Sequence, residues 1–572
     1  MINLDAQRTH TEFPRHFVAE DADLGDWTTL EKYFEELQAR PVDEPSQLER
    51  WLTDLSEVSA AISEESAARY IAMTCQTDDP ALEKAYLHYV EHILPQTEPR
   101  FFELSKKYLA SPARQQLSKD RFFVFDRARE NEVALFREEN IPLQTQDDVL
   151  RQQYQKTCGE QTVEFDGREQ TLPQLAKYLE ETDRAKRKAA WNASVVRQLQ
   201  DREKMEDFFE QMLELRGKIA AISGFDNYLE YMFRRLGRFD YSPLDCRKFQ
   251  EAIERDVMPV RRKLRERRKA ELGLEKLAPW DLDVDPQGRP PLRPFNDAQE
   301  LIEGADRIFD AVSPLLSKDF DVLKSRNLLD LDSRKAKAPG GYQSTLDEAR
   351  LPFIFMNAAG RNQDVFTLLH EGGHAFHALA HRYEPLHAYR DAPIEFCEVA
   401  SMGMEMMACE RLTSFYKPEE AQRARTMHLQ DTIILLPWIA RIDAFQHWIY
   451  THPSHTREER KQQWLELDAR FGDDLDWSEH PEWRECSWIR QLHLFCVPLY
   501  YVEYGIAQLG ALQLWVNYLR DQQATIDRYR SALALGSSKP LPQLFEAAGI
   551  RFAFDSQTIG PLMEKVSSEL VA

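Results

Sequence analysis

Within residues 364–381 (DVFTLLHEGGHAFHALAH), His370, Glu371 and His374 have the types and spacing that most directly offer chemistry. On a helix, side chains four apart lie one above the other, so the two imidazoles converge on one metal ion. Glu371 is one helical step from His370. From there its carboxylate reaches a metal-bound water without itself being a ligand. His377 and His381 continue the same stripe.

Asp364 is the expected N-cap of this helix, and Val365, Phe366, Leu368, Leu369, Phe376 and Leu379 supply its apolar surface. Gly372 and Gly373 work against it, since each costs about 1 kcal/mol relative to Ala in a helix interior. Two such residues side by side predict a close approach to the backbone, and a substrate lying over the helix is the expected visitor.

The elements that must hold these residues lie on both sides of them. Upstream, Gly340, Gly341 and Tyr342 precede the β-prone run LPFIFMN at 351–357. Pro352 near its start predicts an edge strand, whose free backbone groups would align an extended peptide along Phe353, Ile354, Phe355 and Met356. A buried structural strand fits the local sequence equally well. Downstream, a third ligand is required, because catalytic zinc takes three protein ligands and keeps one position open. The metzincin pattern needs Gly at position 377 and His at 380, and the chain has His377 and Ala380. A carboxylate from a second helix is the alternative. In the helical text IEFCEVASMGMEMMACERL at 394–412, Glu398 and Glu405 share a face on a Met-rich background. A carboxylate buried there needs a partner. Glu398 as ligand, with Glu405 supporting it, meets that need, while spacing alone leaves Glu395 as a rival.

The series GGY, PFIFMN, HEGGHAFH and FCEVASMGMEMM, followed by HLFCVPLYYVEYGIAQLG, resembles the zinc oligopeptidases of the thimet oligopeptidase and oligoendopeptidase F group, and most closely the bacterial oligoendopeptidase F branch. The resemblance covers roughly residues 340–510. It implies Glu398, in Glu398-Val-Ala-Ser401, as the third ligand of one zinc ion per chain. It also implies a mainly α fold of the zincin-like, gluzincin type: two helical lobes around a deep channel, with a small β-sheet beside the HExxH helix. The implied activity is metalloendopeptidase cleavage of short oligopeptides, with Glu371 as general base and His493, Tyr501 and Tyr504 as candidate stabilisers of the oxyanion, Tyr500 being their near neighbour. His377 and Glu405 would lie just outside the ligands. The family often carries a larger apolar residue where this chain has Gly372, and LFCVP stands where thimet-like members have a Gly-rich loop. A dipeptidyl carboxypeptidase of the same family is the second reading. A non-catalytic helical peptide-binding protein is the third.

At 572 residues and 43% hydrophobic the chain has ample core for a large globular protein, and no stretch reads as a flexible tether. The division expected from sequence character is an N-terminal helical region over 1–200 and a catalytic region over 201–572. With 73 basic against 96 acidic residues, a net of -23, the chain repels polyanions, which argues against nucleic acid as a partner. The basic run RRKLRERRK at 261–269 is interleaved with glutamates and reads as a solvated helix face. No secretory leader is legible at the N-terminus and no apolar run is long enough to span a membrane. Seven scattered cysteines without a CxxC predict free thiols in a reducing cytoplasm. The alternation TVEFDGREQTL around Asp166-Gly167 predicts a hairpin. The proline-rich stretch 277–295 predicts an extended connection that buries Trp280, Leu282 and Val284.

Overall fold

The computed structural model describes residues 12–571; most of the stretch read for a leader lies outside them. Helices dominate. They begin where side chains can satisfy their free N–H groups, as at Asp183, whose carboxylate accepts from Ala185 and Lys186, or where proline opens the first turn, as at Pro45, Pro80 and Pro243. No helix of the described residues is long and apolar enough to cross a membrane.

The chain forms two compact units, each drawn from three segments. One comprises Met1–Ala134, Leu292–Arg425 and Ala507–Phe552; the other comprises Leu135–Pro291, Thr426–Ile506 and Ala553–Ala572. The boundary expected near residue 200 therefore falls inside the second unit. The reason is visible at Arg216. Its fully buried guanidinium bonds Asp147 Oδ1 at 3.1 Å, Tyr450 Oη at 3.0 Å and the Leu494 carbonyl at 3.0 Å, tying the helix Ile141–Gly159 to later segments.

In the second unit, β1 (Thr162–Phe165) and β2 (Arg168–Thr171) form the expected hairpin, with Asp166 and Gly167 both at positive φ, 56° and 75°. Trp280 and Val284 of the proline-rich connection are buried and Leu282 is half-buried. The basic run is not simply solvated. Arg261 and Arg265 both bond Asp473, at 2.7 and 2.9 Å, and Arg268 donates to the Val284 carbonyl at 2.6 Å, so one stripe of the helix is packed.

The first unit holds the sheet beside the HExxH sequence, in the order β3 (Leu329–Asp332), β5 (Leu351–Ala358), β4 (Tyr342–Leu346). β3 runs parallel to β5 and β4 antiparallel to it. The edge-strand expectation for β5 is thus overturned: it is central, and Phe353, Ile354, Phe355 and Met356 are buried core residues, no rail for a peptide. Pro352 is tolerated for a local reason. Ile354 donates its N–H to Leu328 on the β3 side, and backbone donors alternate sides, so Pro352 faces the same way. β3 first pairs at Ile354, so at Pro352 no acceptor waits for the missing N–H. The outer strands of this sheet are β3 and β4.

Candidate metal centre

The helix Asn362–Ala380 carries the HExxH residues. It starts earlier than expected, and Asp364 lies inside it. There its Oδ2 accepts from the N–H groups of Ala359 at 2.7 Å and Arg361 at 2.9 Å, pinning the incoming turn to the first helical turn.

The glycine pair serves packing, which corrects the expectation of a substrate over the helix. A Cβ on Gly372 would stand 2.8 Å from Phe309 Cζ. A Cβ on Gly373 would stand 2.6 Å from both the Ala400 oxygen and the Ser401 Cα. The HExxH helix and the helix Ile394–Ala408 therefore touch backbone to backbone, and Tyr529 Oη holds the Ala400 carbonyl at 2.7 Å from the far side. Gly373→Ala would gain about 1 kcal/mol of helix propensity but must part these helices. We expect a net loss of about 1–3 kcal/mol, the usual scale of overpacking, together with reduced metal content. Thermal unfolding and metal analysis check this; a variant as stable and as metal-replete as the parent would contradict it.

That contact brings Glu398 to the histidines. One donor atom from each of His370, His374 and Glu398 lies within 4.8 Å of the others. Glu398 Oε2 is 3.4 Å from His370 Nε2 and 3.8 Å from His374 Nε2. Ser401 Oγ donates to the same Oε2 at 2.9 Å and holds the carboxylate in place. His370 Nδ1 bonds Glu405 Oε1 at 2.6 Å, which puts the ring proton on Nδ1 and leaves Nε2 as the free lone pair. Glu395 is buried on the same helix but is not among the atoms that converge. Two imidazoles and a carboxylate, one imidazole oriented by a second carboxylate, fit a zinc ion.

Without an ion among them, these groups carry perturbed protonation equilibria. Burial opposes a charge on His370, but the Glu405 hydrogen bond and the surrounding carboxylates outweigh it and raise its pKa to about 9. His374, buried without such a partner and beside His370, falls to about 3. Burial raises Glu398 as well, with His370 and the Ser401 bond opposing. Glu371 rises to about 7 through burial, with the charges of Glu398 and Glu405 adding and His370 and a Gln343 backbone N–H opposing. A dication among these groups favours neutral imidazole and ionised carboxylate.

The Gln343 N–H identifies a part of the site that the sequence reading missed. In β4 the alternation of backbone groups turns Tyr342 and Ser344 toward β5, and Gln343 and Thr345 away from it. The free edge of β4 thus runs past the Glu371 carboxylate. Its signal was present in the short run YQSTL after Gly340-Gly341, but the more apolar LPFIFM drew the assignment.

The sequence pattern of Peptidase family M3 matches residues 177–560, and that of the Peptidase M3 N-terminal domain matches 21–136. The chain belongs to peptidase family M3. It is thereby a metallopeptidase. The M3 chain is 25% identical over 268 residues to oligopeptidase PepF of Bacillus subtilis, a match covering 43% of this chain and 38% of PepF, so it spans well under half of that relative. It is 30% identical over 104 residues to the chromosomal oligoendopeptidase F of Lactococcus lactis subsp. cremoris, covering 18% of this chain and 17% of that one. Among solved structures, PZ peptidase A in complex with an inhibitor superposes with a TM-score of 0.87 at 26% identity, over 99% of each chain. Oligoendopeptidase-F from Enterococcus faecium, at 15% identity and a TM-score of 0.61, over 95% of this chain and 96% of that one, shares the fold.

In its second unit the M3 chain gathers the remaining expected residues. The His493 ring lies 4.6 Å from that of Tyr501 and 6.0 Å from that of Tyr504, with Tyr500 5.4 Å from Tyr504. Gln491 fixes the tautomer of His493. Its Oε1 accepts from Trp438 Nε1 at 3.1 Å, so its amide nitrogen is the group 2.7 Å from His493 Nδ1. His493 therefore carries its proton on Nε2, and burial lowers its pKa and keeps it neutral. Nearby Leu499 takes a φ of 65°, which a non-glycine residue adopts at a cost of about 1–2 kcal/mol. Gln446 Oε1 clamps its N–H at 2.6 Å and Arg238 its carbonyl at 2.5 Å. In the first unit, His377 packs edge-on against His381 and Phe396, with ring centroids 5.1 and 5.9 Å apart. It takes no part in the converging donor set.

Proposed function

We propose that this chain is a zinc endopeptidase that cleaves internal bonds of short peptides. The observation that carries the reading is the division of labour at 370–374: two imidazoles and Glu398 converge, while Glu371 stays outside the converging atoms and against the free edge of β4. Zinc held by His370, His374 and Glu398 would polarise the scissile carbonyl and acidify a water. Glu371 takes the proton of the attacking water on its carboxylate and hands it to the leaving amine. The Gln343 N–H favours the charged form of that carboxylate, Glu405 bonds His370 Nδ1, and Ser401 orients Glu398. The free edge of β4 supplies backbone groups that align an extended substrate. The oxyanion needs a further donor, which we assign to the group His493, Tyr501 and Tyr504 on the family resemblance. Seven cysteines without a disulfide support a reducing, cytoplasmic setting.

Two relatives named for oligopeptides support a short substrate. Blocked peptides on the order of ten residues are expected to be cut internally, while reduced, unfolded casein survives the same exposure. A one-tube competition at matched bond concentration, with products read by mass spectrometry, tests this. Comparable cleavage of both removes the size restriction. An unblocked control peptide cut only two residues from its C-terminus, with the blocked peptide left intact, assigns the exopeptidase reading instead.

A further inference from the structure

Apart from the HExxH set, one other group among the described residues brings three metal-donor atoms within 4.8 Å of one another: Cys246, Asp443 and His447. Cys246 lies on the helix Pro243–Ala252. Asp443 and His447 lie four apart on the helix Pro418–Thr451, the same-face spacing that His370 and His374 use. All three are buried, at 1%, 0% and 8% exposure, in the second unit.

The hydrogen bonding of this group is incomplete in a particular way. Gln250, one turn beyond Cys246, donates its amide to Asp443 Oδ2 at 2.6 Å. Asp443 Oδ1 has no hydrogen-bond partner among the described residues, and neither has His447 Nε2. These two atoms stand 3.4 Å apart without the geometry of a hydrogen bond. Nitrogen and oxygen donors about 2.0–2.1 Å from a tetrahedral zinc are about 3.3 Å from each other. A fully buried carboxylate oxygen whose close polar neighbour is a ring nitrogen without hydrogen-bond geometry is costly to keep, and the spacing suits a cation between the two.

We propose that Cys246, Asp443 and His447 form a second zinc site, structural in role, that joins these two helices of the second unit. The charges close. A thiolate and a carboxylate match a dication, and His447 binds as neutral imidazole. Facing them, Arg238 and Glu503 form their own pair at 2.8 Å and add no net charge, and the Phe233 ring lies edge-on to His447. Three protein donors leave one tetrahedral position, which a water fills. The site does not depend on the HExxH reading, because its donors are separate and include sulfur.

The test uses the full chain. Zinc per chain after dialysis is expected to be two, falling to one in Cys246→Ser. Cobalt-substituted protein is expected to show a thiolate-to-cobalt charge-transfer band. The HExxH donor set contains no sulfur, so the band should persist in the double variant His370→Ala/His374→Ala and vanish in Cys246→Ser. Should Cys246→Ser fail to fold, the band in the wild type and in the double histidine variant still decides. One zinc per chain with no thiolate band overturns the proposal and assigns an Asp443–imidazolium ion pair instead. Loss of only the HExxH metal, with the band retained, would count against the catalytic reading alone.

Discussion

Glu371→Gln is expected to fold, to hold its metal, and to cleave almost nothing. The exchange keeps the shape of the side chain and one oxygen acceptor. What disappears is a carboxylate able to take a proton from water and pass it on. A positioned acid–base group contributes typically about 10²–10⁴ in rate, so kcat should fall by that order while KM changes little. Metal content should not change, because Glu371 is outside the converging donor set. The acid limb of the pH profile, set in the parent by ionisation of this carboxylate, should disappear from the residual activity. Metal-replete variant protein retaining a tenth of the parental kcat would exclude Glu371 as the base.

The second large effect separates three glutamates of one helix. Glu398→Ala removes a donor 3.4 Å from His370 Nε2 and should lower metal affinity by more than about 100-fold, beyond the range of supporting residues. Glu405→Ala removes the group that orients His370 and should cost about 10–100-fold. Glu395→Ala should leave affinity unchanged. Competition with a chromophoric chelator measures all three on one scale. Stoichiometric metal in Glu398→Ala and its loss from Glu395→Ala would reverse the assignment.

Local rules made part of this arrangement legible and left another part hidden. His370, Glu371 and His374 could be read from helical spacing; shared-face spacing and the cost of burying a carboxylate pointed to Glu398 with Glu405 but left Glu395 as a rival, and the family resemblance chose Glu398. The hairpin at Asp166-Gly167 and the burial of Trp280 and Val284 followed from turn chemistry and proline alone. Pairing order is a different kind of property. Pro352 does mark a place where β5 lacks a neighbour on one side, but whether the rest of the strand is covered there depends on β3, about 20 residues upstream, which no local signal at Pro352 reports. The domain boundary failed similarly, because Arg216 finds its partners as far away in sequence as Asp147, Tyr450 and Leu494. Gln491 was hidden too: its role in setting the His493 tautomer depends on Trp438, which is far away in sequence.

The two adjacent glycines of the HExxH helix differ in how evolution could replace them. Position 372 faces the tip of one aromatic side chain, so its missing volume has been supplied by Phe309 from another helix. A larger residue at 372 and a smaller one at 309 would amount to an exchange of the same space, and these positions should covary among relatives that carry a bulky group after the HE pair. Position 373 faces main chain, which is the same whatever residue bears it. No second-site substitution can make room there, so a library that randomises 309, 372 and 373 together should recover compensated pairs at the first two and only glycine at the third.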